Sequence, residues 1–178
     1  MKAVLISIKP KWCELIASGK KTIEVRKTKP KLDTPFKCYI YETKGRTEIP
    51  TFIDKDGHEI YQGRGHVIGE FVCDKIYEIG YDYFHPVGYE VSMGEISREE
   101  LYKKSCLSFN QIDYYLNAEL GYGWHISDLV IYDKPKELRE FCKPVDCHRG
   151  TQRDNCVGCW DCEITRPPQS WCYVEKLV

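Results

Sequence analysis

Apolar positions recur along this chain in short blocks whose spacing changes from block to block. Residues 3–8 (AVLISI) are almost wholly apolar, as in a strand covered on both faces. Pro10 then opens a short helix in which Trp12, Leu15 and Ile16 share one stripe, and Gly19 ends it. Residues 22–27 (TIEVRK) alternate strictly, so Ile23 and Val25 should face a core while Thr22, Glu24 and Arg26 share the other face. Residues 36–41 predict another strand. Asp56-Gly57, between 51–53 and 59–61, has the residues of a type I′ hairpin turn. Residues 67–76 read as one covered strand, and 77–89, aromatic and punctuated by Gly and Pro, as an irregular loop fit to cover a site.

Helix signals follow in the second half. Ser97 with Glu100 three residues on makes a capping-box pattern, and Ser108 caps a second helix through Tyr115. Residues 124–132 predict a strand, 135–141 a short helix and 171–178 a last strand. Six or more strands with few helices give an α+β fold, mainly β: a small β-barrel with short flanking helices. The chain shows no internal repeat and reads as one domain, 1–178, with a Cys-rich lobe inserted at 142–163.

At 178 residues and 42% hydrophobic the chain can bury a core without disulfides. It lacks a long apolar run, so a membrane span is not expected, and its first residues read as a strand rather than a leader, which points to the cytoplasm. The formal net charge of -1 conceals an asymmetry. Residues 1–50 hold twelve Lys or Arg against five Asp or Glu, and residues 51–178 hold fourteen against twenty-two. A basic segment in an otherwise acidic chain leaves room for a local anion-binding face, unless the charges mix on the folded surface.

Of the ten cysteines, Cys13, Cys38, Cys73 and Cys106 stand alone in core-like segments, where a thiol acts as a small hydrophobe. Five of the others crowd into one stretch, Cys142, Cys147, Cys156, Cys159 and Cys162, with His148 beside them. Two CxxC spacings sharing Cys159 suit a knuckle whose thiolates reach one ion, and in a reducing compartment structural zinc is the expected occupant. Five cysteines and one histidine compete for four places. Cys147, Cys156, Cys159 and Cys162 are the first choice, with Cys142 or His148 as substitutes. The remaining alternatives are an iron–sulfur centre, for which the usual fourth-cysteine spacing and proline are missing, and uncomplexed or oxidised thiols.

The run Ser7-Ile8-Lys9-Pro10-Lys11-Trp12, then Leu15-Ile16 and Gly19-Lys20-Lys21-Thr22-Ile23-Glu24-Val25-Arg26, resembles the signature of the ASCH domain family within the PUA-like β-barrel superfamily. Gly69-Glu70, the segment Gly123 to Leu129 and the terminal Arg166 to Glu175 are similar to bacterial and prophage members. The resemblance implies a PUA-like barrel whose cleft, lined by this motif, recognises RNA or a nucleotide-derived small molecule. Its ligand-binding residues here would be Lys9, Trp12, Lys21, Thr22, Glu24, Arg26, Trp124, Ser170 and Trp171.

One small member of that family is an amidohydrolase acting on acetylated cytidine. Lys21 matches the lysine of its catalytic set, whereas Glu24 stands where the set has a threonine. If this chain were an enzyme, Lys21, Glu24 and Glu70 would carry the chemistry. Read from the residues alone, Glu24 and Arg26 can equally be a solvated cross-strand pair, and the tryptophans core. Glu70, mid-strand between Ile68 and Val72, is either a second acid facing Lys21 or the partner of a lysine on an exposed edge. A protein whose cleft is filled by its own side chains, serving a structural or interaction role, is the third possibility.

Overall fold

The computed structural model describes residues 2–45, 52–53, 59–60, 63–81, 89–91, 96–144 and 162–177, the backbone alone at 52–53, 59–60, 81 and 89–91. In chain order the described elements are β1 (Lys2–Ile8), α1 (Pro10–Ala17), β2 (Ile23–Arg26), β3 (Phe36–Glu42), β4 (Phe52–Ile53), β5 (Glu59–Ile60), β6 (Val67–Cys73) and β7 (Ile76–Tyr81). They continue with β8 (Tyr89–Val91), α2 (Arg98–Ser105), α3 (Phe109–Leu116), β9 (Gly121–His125), β10 (Ser127–Lys136), a single 3-10 turn (Leu138–Glu140) and β11 (Trp171–Glu175). No described helix is long and apolar enough to cross a membrane.

The fold is α+β and mainly β, as the block pattern predicts, but the described strands do not close into a barrel. They form a five-stranded sheet in the order β10-β6-β3-β1-β11, a four-stranded sheet in the order β2-β9-β7-β8, and the β4-β5 pair. The reason lies in two expected strands that each break. The apolar run 67–76 is interrupted at Asp74-Lys75, where β6 of one sheet ends and β7 of the other begins. The run 124–132 is interrupted at Ile126, whose N–H leaves the strand ladder for the Thr22 carbonyl at 2.9 Å, and Asp128 just beyond takes a φ of 45°. A continuous run of apolar residues says that both faces are covered, not that one sheet holds the whole run. Two further expectations change: Tyr77 begins the interior of β7 rather than a loop, and the helix expected at 135–141 is only the Leu138–Glu140 turn. The Asp56-Gly57 turn and most of the loop expected at 77–89 lie outside the described residues.

The chain divides into two compact units, each gathered from separate stretches. One comprises residues 1–13, 37–70 and 130–178; its core packs Leu5, Tyr39, Val67, Phe141, Ile164 and Val174. There β1 runs parallel to β3 and antiparallel to β11, and the Tyr39 hydroxyl accepts the Leu177 N–H at 2.8 Å. The other comprises 14–36 and 71–129, with Ile23, Val25 and Ile79 of the sheet packed against Leu101, Ile112 and Leu116 of the helices. Both helices carry complete capping boxes, Ser97 with Glu100 and Ser108 with Gln111, and both end in a left-handed residue, Cys106 and Asn117.

Gly69, in β6, has a steric reason to be glycine. A Cβ there would stand 2.4 Å from the Val130 carbonyl oxygen of β10, so the two backbones approach as only glycine permits. Gly69→Ala is expected to lose about 1–3 kcal/mol of stability through forced backbone shifts. Urea denaturation checks this; an unchanged midpoint would show that β10 moves aside freely.

Candidate functional site

The motif residues Lys21, Glu24 and Arg26 fold into one buried ionic cluster in the second unit. Alternation along β2 places Ile23 and Val25 in the core as expected, but the polar face is covered too: all four residues of the strand are buried. Glu24 is held between two cations, with Oε2 3.2 Å from the Lys21 ammonium and Oε1 3.0 Å from the Arg26 guanidinium. The side chains of Lys21, Glu24 and Arg26 expose 1%, 8% and 9% of their surface, which removes the solvated-pair reading.

The end of α2 completes the cluster, and no sequence signal had marked it. Lys21 Nζ donates to the Ser105 carbonyl at 2.6 Å, Thr22 N–H to the Lys104 carbonyl at 2.8 Å, and Cys106 Sγ to the Lys20 carbonyl at 3.3 Å. The last carbonyls of a helix lack intrahelical donors and carry the negative end of its dipole, so an ammonium is suited to that place. The only hint in the sequence is the glycine-closed turn ahead of β2, which turns Lys20 and Lys21 back toward another element.

Antiparallel pairing extends this face across the sheet. Glu24 lies opposite Trp124, and Arg26 opposite Tyr122, which in turn lies opposite Glu78 of β7. Trp124 is fully buried, its ring edge-on to Phe36 with centroids 5.9 Å apart, so the expectation that it contacts ligand is corrected: it packs the core beneath the cluster. Tyr122 is half-buried, and Lys29 Nζ stands 5.0 Å from its ring centroid and 2.8 Å from Glu78. The Glu78 hydrogen bond raises the Lys29 pKa, opposed by slight burial, so the ammonium stays charged. Lys27 stands 5.8 Å over the Tyr115 ring, and beside it Tyr114 is 91% exposed. Beyond the cluster, then, exposed lysines alternate with aromatic rings.

On the next strands His125 Nδ1 bonds Asp74 Oδ1 at 2.7 Å, and the ring packs edge-on against Tyr77. Burial raises the Asp74 pKa, but the His125 hydrogen bond and charge, with Ser127, outweigh it and hold the carboxyl low.

The remaining expected residues fall in the first unit. Lys9 is exposed and its carbonyl accepts the Trp12 and Cys13 N–H groups that open α1. Trp12 is half-buried, with Lys11 Nζ 5.3 Å from its ring centroid. Ser170 is half-buried and its carbonyl accepts the Ser7 N–H at 2.9 Å, while the Ser7 hydroxyl donates to Pro168 at 2.6 Å. Trp171, opposite Ile6, packs edge-on against Tyr173 at 5.4 Å. Glu70 pairs with a lysine, as the second of its two alternatives expects, but on inner strands rather than an exposed edge: it accepts from Lys37 Nζ of β3 at 2.5 Å and from the Tyr132 hydroxyl at 2.6 Å.

Burial works to raise the Glu70 pKa, but the Lys37 and Tyr132 hydrogen bonds and the charges of Lys37 and Lys136 together bring it below the ordinary glutamate value. A carboxyl lowered on folding adds stability above its unfolded pKa, near 4.3, and loses it as pH falls through the folded value. Glu70→Gln should therefore be less stable than the parent at neutral pH, with the gap closing below about pH 4. A gap constant with pH in urea titrations would assign the effect to packing instead.

Of the metal candidates, Cys147, His148, Cys156 and Cys159 lie outside the described residues. Cys142 and Cys162 flank them on adjoining antiparallel segments. Cys142 pairs with Glu163, the Lys143 N–H donates to the Cys162 carbonyl at 2.8 Å, and the Ile164 N–H to Phe141 at 3.0 Å. In that register Cys142 shares a face with Glu163, and Cys162 stands one position on, on the opposite face.

The model of the ASCH domain matches residues 6–117. In fold the chain is similar to the crystal structure of ASCH from Zymomonas mobilis, with a TM-score of 0.58 at 20% identity over 98% of this chain and 88% of that one. A tyrosine-to-phenylalanine variant of the same Zymomonas mobilis protein gives a TM-score of 0.57 at 21% identity, covering 99% and 92%. A comparison with curated proteins finds no match.

Proposed function

The chain belongs to the ASCH domain family, and from that premise and the array beside the motif we infer that it binds RNA, or a modified nucleoside within it, through the face that starts at the GKKTIEVR motif. The observation that carries this reading is the placement of Lys27 and Lys29 over the Tyr115 and Tyr122 rings, just past the end of the strand that carries the buried cluster. Ammonium groups contact phosphates without regard to sequence, and aromatic rings stack unpaired bases at roughly 1–3 kcal/mol each. Arg26, opposite Tyr122, is buried against Glu24 and holds the end of the strand from which this array extends.

A hydrolytic reading rests on one contact, the Lys21–Glu24 pair at 3.2 Å. The Glu24 carboxylate and Ser105 carbonyl on that ammonium suit positioning better than proton abstraction, so binding is the reading adopted. Zinc, in this reading, is structural and held by Cys147, Cys156, Cys159 and Cys162.

Fluorescence anisotropy with a short labelled single-stranded RNA tests the binding face. Lys29→Ala should reduce the slope of log affinity against log salt by about one, and Tyr122→Ala should weaken binding about tenfold or more. Both residues are partly exposed, so the fold should persist. Binding unchanged in the Lys27→Ala/Lys29→Ala/Tyr122→Ala protein would overturn the assignment.

A further inference from the structure

β10 forms one edge of the five-stranded sheet, with β6 on its inner side and no described strand on the other. Its middle carries apolar and aromatic residues in a row, Leu129 to Tyr132, and Val130 and Ile131 are 49% and 40% exposed. Successive side chains of a strand point to opposite faces, so this stretch is open on both faces as well as along its rim. Sheet edges are ordinarily blunted by charge or proline. Here Asp133, Lys134, Pro135 and Lys136 guard only the C-terminal end.

Gly69 shows which way the backbone groups of that rim point. The Val130 carbonyl is turned toward β6, since its oxygen stands where a Gly69 Cβ would collide. The N–H of the same planar peptide belongs to Ile131 and so points away from β6, out of the edge. By the two-residue repeat, Leu129, Ile131 and Asp133 offer their N–H and C=O groups outward. Pro135, which has no N–H to offer, falls on that same side.

We propose that β10 pairs antiparallel with β10 of a second copy of this chain, about a two-fold axis through Ile131. Centred there, Ile131 exchanges both backbone hydrogen bonds with its own copy, and Leu129 meets Asp133 in the same way. Val130 comes opposite Tyr132, an aromatic and β-branched pair of the kind that stabilises sheets. Asp128 comes level with Lys134 at both ends, and both residues are exposed, so unlike charges meet twice. Other centres serve less well. One at Asp133 sets that carboxylate against itself, and one at Tyr132 brings Asp128 to Lys136, which Glu140 already holds at 3.7 Å.

Sedimentation equilibrium of the full chain between about 1 and 100 μM tests the pairing, with circular dichroism to check that each variant is folded. The parent should dimerise with a micromolar dissociation constant, because a single strand pair makes a small interface. Asp128→Lys and Lys134→Asp should each weaken the dimer about tenfold or more, since like charges then face each other at both ends. An equimolar mixture of those two variants should dimerise again, each supplying the charge that the other lacks. Asp128 has a φ of 45°, so Asp128→Asn, which tolerates that conformation, is the milder variant and should weaken the dimer severalfold. A parent that stays monomeric, a dimer that survives both charge reversals, or a mixture that fails to dimerise would overturn the proposal.

Discussion

Replacing Glu24 by alanine should cost about 3–5 kcal/mol of stability, the largest loss expected from any single side chain in the second unit. The carboxylate lies between Lys21 and Arg26, and all three are buried. Removing it leaves two cations facing each other across the space it filled, out of water and without the charge that balanced them. Glu24→Gln keeps the shape and an acceptor but not the charge, so it should recover only part of the loss. Lys21→Ala should also destabilise, because it strips the Ser105 carbonyl of its donor as well as Glu24 of one cation. Urea unfolding followed by circular dichroism measures all three. A loss below about 1 kcal/mol for Glu24→Ala would mean that water reaches the cluster and screens it as it screens a surface pair.

That prediction reverses one sequence-based alternative, and the reversal shows what the pattern along β2 can and cannot say. Strict alternation correctly separates Ile23 and Val25 from Glu24 and Arg26. It cannot say what covers the polar face, because period two records only that successive side chains oppose each other. The cover comes partly from the end of α2, some eighty residues away, and that proximity leaves no trace in the local pattern.

Glu70 illustrates the same limit. Its mid-strand position shows that it needs a partner, but choosing Lys37 requires knowing that β6 lies between β3 and β10. Hydrophobic runs give the two longest misreadings, 67–76 and 124–132, because an apolar strand passing from one sheet to another looks like a single strand throughout. The locally encoded features agree with the structure: the Pro10 helix start, the capping box at Ser97, the helix cap at Ser108, and the strands at 3–8, 22–27 and 36–41. Tyr122 and Lys29 were missed because their pairing arises from sheet register, ninety-three positions apart in the chain.

Metal content is where the largest energetic effect is expected. We propose that the purified protein carries one equivalent of zinc, since thiolates in a CxxC pair converge on one ion and an apparent binding energy of about 10–16 kcal/mol is typical of such sites. The flanks of the segment fit a closed loop. Phe141 and Ile164 are buried in the core of the first unit, and hydrogen bonds between 141–143 and 162–164 hold its two ends together. The register separates the candidates: Cys162 and Cys142 lie on opposite faces of that pairing, so a single ion approached from one face takes one of them. Cys162 closes the run Cys156-x2-Cys159-x2-Cys162 and is the one expected.

Cys162→Ala should therefore lower bound zinc well below one equivalent, while Cys142→Ala leaves the stoichiometry intact. Chelation should release protons and make the segment's thiols reactive, yet leave Cys13, Cys38 and Cys73 protected, because these are buried in the sheets and helix. Burial pushes the Cys73 thiol up to about 12, which further suppresses its thiolate. The far-ultraviolet sheet signal should persist, since the described strands lie outside residues 143–162. Elemental analysis with thiol titration decides it. A metal-free protein whose clustered thiols react at once, or zinc lost on Cys142→Ala and kept on Cys162→Ala, would refute respectively the metal and this choice of ligands.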